Sequence, residues 1–528
     1  MNFPERLAGA SLTSLGEQAV VTPHLLASRA ATLILDAGGN AVDAAITANA
    51  VLGVVAPETC GVGGDLFALV HVRGHASPAA LNSSGHAGEG ARSTTIRANG
   101  FRDIPIDSPY AVTVPGCVDG WIALSERFGT RALADLLAPA IDHAGAGFPA
   151  SPELASALSR WSDRLQPQPA AEGLYPGGSA PDAGDTVGRP ALATVLTAIG
   201  ARGRDGFYGG TVADAIVLAT DETVTYNDLD RQQAEWVEPI SLDTLGWTGW
   251  TIPPNSQGYL TIAASWLFEH LGPSADPGDP DFIHATIEAY RAVAWERDNL
   301  VADARYAPLA GVELLNPERL AERLQSIGLK SRARWPAPSP APGGTAYLCV
   351  RDRRGMGVSL IQSNYHGIGS RIGAGNTGFF LHDRGSGFNL TPGHPNEIGP
   401  GKRPLHTLSP TLWTEDGELR MILGTRGGDF QPQTLLQVLT YLRRAGMDPA
   451  SAQRQPRWAT REWRAEDATV VVEPGFDSGT ITELERRGHR IDVATGPMAG
   501  WGPVSVIVDD GKAATGAADP RVATTAAL

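Results

Sequence analysis

The sequence predicts an α+β protein in which a helix-rich part precedes a strand-rich part. Apolar residues at helical spacing, as in 41–52 and 281–304, are frequent before the proline-rich run 336–344. After that run, short segments rich in apolar and β-branched residues, such as 356–362 and 504–508, indicate strands. Because prolines neither continue a helix nor donate to a sheet, the run is predicted to be an exposed linker between the two parts.

The individual elements follow from local signals. The helix 41–52 comes after Gly38, Gly39 and Asn40 and is rich in small residues that allow close packing. The other predicted helices are 118–127, 133–144, 191–199, 260–271, 281–304 and 433–443. The predicted strands are 66–72 and 79–81, which form a hairpin turning at 73–74, and 347–350, 356–362, 378–381, 419–423 and 504–508.

Composition restricts the class of partner. The 528 residues are 42% apolar, which is enough to bury a large core, and their length predicts two to four domains. A formal net charge of -15 and scattered Lys and Arg argue against nucleic acid and anionic membranes as partners. Residues 1–6 lack the basic and apolar regions of a secretory signal, and three cysteines cannot form a disulfide framework. The sequence therefore predicts a cytoplasmic protein.

The most informative chemical feature is the threonine that follows the linker. Gly343 and Gly344 precede Thr345, which opens an apolar, strand-like stretch. Cleavage between Gly344 and Thr345 would give this threonine a free α-amine beside its own hydroxyl. An N-terminal amine is one of the few bases able to activate threonine for acyl transfer. The junction therefore predicts an autocleavage site, and the alternative is a plain surface linker followed by a strand.

Motifs of other catalytic classes are missing from the sequence. It contains no Walker A loop and no G-x-S-x-G elbow, and the glycines of 61–65 are too few for a dinucleotide loop. His71 and His75 are four residues apart but fall in the predicted hairpin, so neither a metal nor a cofactor is predicted. Two glycine pairs, 63–64 and 427–428, can each aim two backbone N–H groups at one point, as an oxyanion hole requires.

Six motifs, in order along the chain, resemble the γ-glutamyltransferase family. They are GGNAVDAA at 38–45, VVAPETCGVGGD at 54–65, AVTVPG at 111–116, GPGKRP at 399–404, LSPT at 408–411 and GTRGG at 424–428. The resemblance implies an N-terminal-nucleophile (Ntn) hydrolase with a four-layer αββα fold, made as a precursor that cuts itself. It implies a large subunit of residues 1–344 and a small subunit of residues 345–528, which form a heterodimer or a dimer of heterodimers.

The resemblance also implies catalytic roles. Thr345 matches the family's threonine nucleophile, and Ser363 stands where the family has a threonine that orients it. The backbone N–H groups of Gly427 and Gly428 match the oxyanion-hole glycines. The implied reaction forms an acyl-enzyme at Thr345, which water or an amine then resolves.

The residues that grip glutamate in typical members are changed. Ser84 stands at the position of the arginine, and His406 with Thr407 at that of the serine pair, which together bind the α-carboxylate. The aspartate that binds the α-amine aligns near Gly387, and Tyr365 replaces an asparagine. Losing a charge-assisted hydrogen bond costs about 1.5–3 kcal/mol, so glutathione is not the expected substrate.

Other side chains are predicted to bind the substrate. Arg426, beside the oxyanion glycines, is expected to hold a carboxylate without an α-amino group, together with His86 and His406. The remaining predicted pocket residues are Thr407, Tyr365 and Asn364, and the secondary candidates are Arg403, Arg384 and Arg371. Such a pocket suits a short carboxylate-bearing amide, for which the hydrolysis of oxamate to oxalate and ammonia is the first example in the family.

Two alternatives remain open. A γ-glutamyl hydrolase or transferase with a rebuilt glutamate pocket would act on glutathione-like amides. An uncleaved, non-catalytic member would act as a binding protein, although the retention of Thr345, Ser363 and the 427–428 glycine pair argues against it. The predicted partners are a small amide and the two subunits of one precursor, without nucleic acid, membrane, metal or cofactor.

Overall fold

Two seven-stranded antiparallel sheets stack face to face in the computed structural model, which describes residues 12–335, 344–461 and 469–528. The proline-rich residues 336–343 of the predicted linker lie outside the described residues. The helices are α1 (Leu25–Asp36), α2 (Ala41–Val55), α3 (Ser93–Ala98), α4 (Cys117–Phe128), α5 (Leu133–Ala146), α6 (Pro152–Arg160), α7 (Ser162–Leu165), α8 (Pro190–Arg202), α9 (Gly210–Ala219), α10 (Tyr226–Asp230), α11 (Tyr259–Leu271), α12 (Pro280–Ala294), α13 (Arg297–Leu300), α14 (Pro317–Leu324), α15 (Gln431–Arg443), α16 (Pro449–Arg454) and α17 (Ser478–Arg486).

The strands are short, and most belong to the two large sheets. They are β1 (Thr13–Gly16), β2 (Ala19–Thr22), β3 (Asp65–His71), β4 (Ala79–Ser83), β5 (Phe148–Pro149), β6 (Thr186–Val187), β7 (Glu235–Val237), β8 (Ile240–Thr244), β9 (Trp247–Thr251), β10 (Gly344–Arg351), β11 (Gly357–Tyr365), β12 (Ile372–Gly373), β13 (Phe380–Leu381), β14 (Thr411–Glu415), β15 (Glu418–Thr425), β16 (Trp458–Arg461), β17 (Thr469–Val472), β18 (Arg490–Val493), β19 (Val504–Asp509), β20 (Ala514–Ala518) and β21 (Ala526–Ala527).

Both large sheets combine strands from before and after the junction at residue 344. The first sheet has the order β21-β2-β10-β11-β3-β4-β7, and the second has the order β1-β20-β19-β15-β14-β9-β8. In the first sheet, β10 pairs with β2 and β11 pairs with β3; in the second, β14 pairs with β9. A cut between Gly344 and Thr345 would therefore leave two segments joined by backbone hydrogen bonds in both sheets.

The alternation of side chains along the strands sets the layers. On β10, Ala346, Leu348 and Val350 pack in one core with helices such as α2 and α5, whereas Tyr347 and Cys349 pack in the core between the sheets. In the second sheet, Met421 and Leu423 of β15 face a third core formed with α11, α12 and α15. The layers are thus helix, sheet, sheet and helix, which confirms the predicted α+β class and the four-layer αββα fold.

The structure corrects three predictions about elements. The predicted helix 281–304 ends at Ala294, and a short helix follows from Arg297; the break brings the buried Arg297 side chain against Gln257 and Asp429. The predicted strand 378–381 is reduced to Phe380–Leu381, because Gly378 has a φ of +76°. The division into a helix-rich and a strand-rich part is incomplete, since four strands of the first sheet and three of the second precede the junction.

The length and polarity of the helices bear on membrane insertion. Among residues 12–335, 344–461 and 469–528, no helix combines the length and the apolar character that a bilayer crossing requires.

Candidate active site

The start of β10 and the end of β11 hold Thr345 and Ser363 opposite each other. The pairing runs from Arg351 opposite Gly357 up to Ala346 opposite Gln362, and then shifts so that Gly344 is opposite Tyr365. Ser363 and Asn364 therefore both face the single residue Thr345, which is the geometry of a β-bulge. A β-bulge changes the direction in which nearby side chains point, and this one lies at the predicted cleavage site.

Three groups at this bulge share hydrogen bonds. The Ser363 hydroxyl donates to the Gly344 carbonyl at 2.6 Å, and Ser363 Oγ lies 3.1 Å from Thr345 Oγ1. Because a serine hydroxyl has only one proton, Thr345 is left as the donor to Ser363 Oγ. The Tyr365 backbone N–H also donates to Ser363 Oγ at 2.8 Å. One serine oxygen thus joins the threonine hydroxyl to the carbonyl of the preceding residue.

Gly344 occupies a space that no larger residue fits. A Cβ built on it would lie 2.7 Å from the Gly367 nitrogen and 3.1 Å from the Glu58 carbonyl oxygen. Thr345 itself is buried, with 1% of its surface exposed. The residues on both sides of the predicted cut are therefore tightly held, and any substitution of Gly344 displaces backbone.

A buried arginine lies beside these hydroxyls. Arg384 Cζ lies 3.7 Å from the centre of the Tyr365 ring, and its two terminal nitrogens lie 3.4 Å from Ser363 Oγ and from Thr407 Oγ1. Arg384 is fully buried, its Nε has no hydrogen-bond partner among the described residues, and no described carboxylate lies within ion-pair distance of it. Burial lowers the pKa of this guanidinium, which nevertheless stays charged.

The predicted oxyanion glycines follow the end of β15. Gly427 and Gly428 have φ values of +122° and +59°, and their N–H groups donate to no acceptor within the described ranges. The Tyr347 ring packs directly on Gly424, where a Cβ would be only 2.1 Å from Cε2, and so fixes β15 against β10. Gln257 Nε2 donates to the carbonyls of Gly428 and Thr407, at 3.1 and 3.0 Å.

The structure does not bring Arg426, His86 and His406 to one point. The Arg426 guanidinium donates to both carboxylate oxygens of Glu153, at 2.9 and 2.5 Å, and to the Gly502 carbonyl. His86 is bonded through Nδ1 to Gln233 and accepts a hydrogen bond at Nε2 from Arg403. Both side chains therefore have partners within the protein, which argues against the joint carboxylate clamp that the sequence predicts.

His406 is part of a separate buried contact. Its Nε2 lies 3.0 Å from an Asp65 carboxylate oxygen, and its ring packs edge-on against Phe67. Burial, together with the charge of Arg384, lowers the pKa of His406 to about 3. The imidazole is therefore neutral at neutral pH and supplies no positive charge for a substrate carboxylate.

Asn364 and the first glycine pair support the site through packing. The Asn364 side chain donates to the Pro57 carbonyl at 3.2 Å, and its backbone N–H donates to Thr59. A Cβ on Gly64 would lie 2.4 Å from the Ser363 carbonyl oxygen. The motif at 54–65 thus lies directly against the end of β11, and its glycines allow the two backbones to approach each other closely.

Two groups near the junction were not predicted from the sequence. Glu58 is 8% exposed and its Oε2 has no partner among the described residues. His366 donates through Nδ1 to Asp383. The sequence does not show that a single glutamate or histidine is buried, so only the residues around them in the fold identify these two groups.

Among the described residues, no group of three His, Cys, Asp or Glu could hold a metal ion.

The Glu58 carboxyl predicts a pH-dependent stability. Burial, with a further contribution from Glu153, raises its pKa from 4.5 to about 8. Between these pH values the folded protein holds a proton that the unfolded chain has lost, so the free energy of unfolding falls as pH rises, by up to about 1.4 kcal/mol per pH unit. In the uncut Thr345→Ala chain, we expect Glu58→Gln to flatten this fall in urea unfolding between pH 5 and 8. The exposed Glu89→Gln is the control, and equal slopes for both variants would contradict the assignment.

Comparison with known proteins identifies the family. Residues 27–528 match the family described as Gamma-glutamyltranspeptidase. The chain belongs to this family. Its predicted membership is confirmed, and with it the prediction of an amidohydrolase.

Individual relatives cover nearly the whole chain. A glutathione hydrolase-like YwrD proenzyme of Bacillus subtilis is 35% identical, with 96% of this chain and 97% of the relative aligned. An oxamate amidohydrolase proenzyme of Klebsiella pneumoniae is 34% identical, over 95% and 96% of the two chains. The crystal structure of a cephalosporin acylase from Bacillus halodurans matches with a TM-score of 0.91 and 31% identity, covering 100% of this chain and 98% of that one. The family and these named proenzymes support an autoprocessed Ntn amidohydrolase.

Proposed function

We propose that this protein cleaves itself between Gly344 and Thr345 and then hydrolyses a short amide that carries a carboxylate. The observation that carries the substrate class is the Arg384 guanidinium, which is buried next to the Thr345–Ser363 pair and has no carboxylate partner among the described residues. Asp65, Asp383 and Asp429 stabilise this charge electrostatically without lying within ion-pair distance of it, and an anionic substrate group would supply the direct pairing.

Maturation starts from the hydrogen bonds of the uncut chain. Thr345 Oγ1 gives its proton towards Ser363 and attacks the Gly344 carbonyl carbon, which the Ser363 hydroxyl polarises. The C–N bond breaks, the nitrogen takes the proton, and the acyl group is carried as an ester on Oγ1. Water then cleaves the ester, releasing the Gly344 carboxylate and leaving Thr345 with a free α-amine.

Turnover repeats this chemistry on the substrate. The α-amine of Thr345 takes the hydroxyl proton while Oγ1 attacks the amide carbon, and ammonia or an amine leaves. The N–H groups of Gly427 and Gly428 are the proposed oxyanion donors, and the loss of one such donor costs about 3–4 kcal/mol of barrier. Ser363 orients Thr345, and the Arg384 guanidinium contacts both Ser363 and Thr407.

The proposed carboxylate site differs from the one expected from the sequence. Arg384 takes the role assigned there to Arg426, because the Arg426 charge is already balanced by Glu153. Tyr365 holds the guanidinium by stacking, at 3.7 Å from its ring centre. His86, His406 and Asn364 then act as neutral parts of the pocket wall or its support.

Ammonia release from a panel of amides tests the substrate class. We expect the mature enzyme to hydrolyse oxamate and other short ω-carboxyl amides with a higher kcat/KM than propionamide or glutamine, because only the former place a carboxylate near Arg384 without an α-amino group. The K. pneumoniae oxamate amidohydrolase makes oxamate the first compound to test. Equal rates with charged and neutral amides would contradict the proposed carboxylate site.

A γ-glutamyl hydrolase is the second candidate. The relative that favours it is the B. subtilis protein named glutathione hydrolase-like, at 35% identity. Release of p-nitroaniline from γ-glutamyl-p-nitroanilide, at rates above those for oxamate, would support this candidate over the first.

A further inference from the structure

A histidine and an aspartate form a tightly bonded pair next to the cleavage junction. Asp383 accepts from His366 twice, from Nδ1 at 2.7 Å and from the backbone N–H at 3.0 Å. Asp383 is fully buried and its own backbone N–H donates to the Asn364 carbonyl. The carboxylate therefore fixes both the position and the orientation of the imidazole ring.

These contacts also determine where the ring can accept a proton. Because the Nδ1–H group donates its hydrogen bond to Asp383, the lone pair of the unprotonated ring is on Nε2. Nε2 has no hydrogen-bond partner among the described residues, and the His366 side chain is 18% exposed. A partly exposed imidazole thus stands on a rigid support, as in hydrolases in which an aspartate orients a histidine.

The residues on either side of His366 contact the groups of the proposed mechanism. The next residue, Gly367, has its nitrogen 2.7 Å from the point that a Cβ on Gly344 would occupy. The His366 ring centre is 3.8 Å from that of Tyr365, whose backbone N–H bonds to Ser363 Oγ. His366 thus lies in the chain between Gly367, whose backbone approaches Gly344, and Tyr365, whose backbone binds the group that orients Thr345.

Hydrolysis of the ester at Thr345 needs a base for water. The α-amine of a freed threonine has an ordinary pKa of about 7.7–8.0, so at neutral pH only its minor deprotonated fraction can accept a proton. The hydrolytic step therefore has a use for a second group.

We propose that His366 is the general base that activates the water which hydrolyses the ester between Gly344 and Thr345, with Asp383 as its positioning residue. His366 Nε2 takes a proton from water as the water oxygen bonds to the Gly344 carbonyl carbon. The bond from that carbon to Thr345 Oγ1 then breaks, and the imidazolium returns the proton to Oγ1. Water is thus divided between the new Gly344 carboxyl group and the Thr345 hydroxyl. The inference rests on the autocleavage proposed above.

Hydroxylamine distinguishes this role from a structural one. It attacks esters without needing a base, so it replaces water when the base is missing. In His366→Gln we expect autocleavage of the purified precursor to slow on the order of 100-fold. Hydroxylamine is expected to restore cleavage and to leave the large fragment ending in a Gly344 hydroxamate, which mass spectrometry separates from the free acid. Asp383→Asn, which favours the wrong tautomer, is expected to behave in the same way.

The controls separate failure of this inference from failure of the proposed function. His75→Gln changes an exposed histidine and is expected to cleave at the wild-type rate. If the wild-type chain never cleaves, the proposed autocleavage itself is wrong. If the wild type cleaves and His366→Gln either matches it or is slow without rescue by hydroxylamine, the general-base role is wrong and the proposed function stands.

Discussion

Thr345→Ala is expected to run as one uncut chain of 55.4 kDa on a denaturing gel and to release no ammonia from any amide. The hydroxyl is the attacking group both in maturation and in turnover, and it is the hydroxyl at the start of β10 that forms the ester. We therefore expect amide hydrolysis to fall by at least about 10⁴-fold relative to the wild-type enzyme. The wild-type chain is expected to give two fragments, with Thr-Ala-Tyr at the N-terminus of the smaller one.

Thr345→Ser is the matched control, because it keeps a hydroxyl at the same position. It should still cleave itself and retain measurable turnover. An alanine variant that hydrolyses amides normally, or a wild-type protein that remains a single active chain, would move the nucleophile elsewhere. A wild-type chain that is uncut and inactive on every amide would instead favour the non-catalytic alternative.

Arg384→Gln is expected to abolish the preference for amides that carry a carboxylate. Removing a charged donor from a buried hydrogen bond to an anion costs about 1.5–3 kcal/mol, which corresponds to a fall in kcat/KM on the order of 100-fold. Because Arg384 also contacts Ser363, some loss is expected with every substrate. The quantity to measure is therefore the ratio of kcat/KM for oxamate to that for a neutral amide of similar size, on fully processed enzyme.

Arg371→Gln provides a control of similar type. Arg371 is also buried and also stacks on an aromatic ring, that of Trp161 at 4.2 Å, and the sequence made it an equal candidate for the carboxylate. We expect this variant to keep the wild-type ratio. If Arg371→Gln loses the preference and Arg384→Gln retains it, the carboxylate site has been assigned to the wrong arginine.

The elements that the sequence predicted best are those that carry a complete local signal. Helix α2 has an Asn40 cap, small residues and a mostly apolar composition, and the observed helix runs three residues beyond the predicted 41–52, to Val55. The hairpin of β3 and β4 has its turn residues at 73–74. The prediction of one helix over 281–304 was wrong because the interruption depends on the contacts of Arg297 with Gln257 and Asp429, which are distant in the sequence.

For the active site, the junction at residue 344 predicts Thr345, and the family resemblance implies the roles of Ser363 and the 427–428 glycine pair. These assignments come from contiguous stretches of the sequence and require no knowledge of contacts in space. The carboxylate-binding side chain is different. The sequence made Arg426 the first candidate and Arg384 a secondary one. Only the fold favours Arg384, because Glu153 forms an ion pair with Arg426 and no described carboxylate lies within ion-pair distance of Arg384.

By itself the sequence predicted the α+β class and the threonine at the junction from local patterns, and the family, with the layered fold it implies, from short contiguous motifs. Only the tertiary structure decided which charges are balanced and which bases are accessible around that threonine. The free energy of a buried charge or of an oriented imidazole depends on atoms a few ångströms away that belong to distant segments, such as Glu153 beside Arg426 and Asp383 beside His366. Proximity of that kind exists only after the chain has folded.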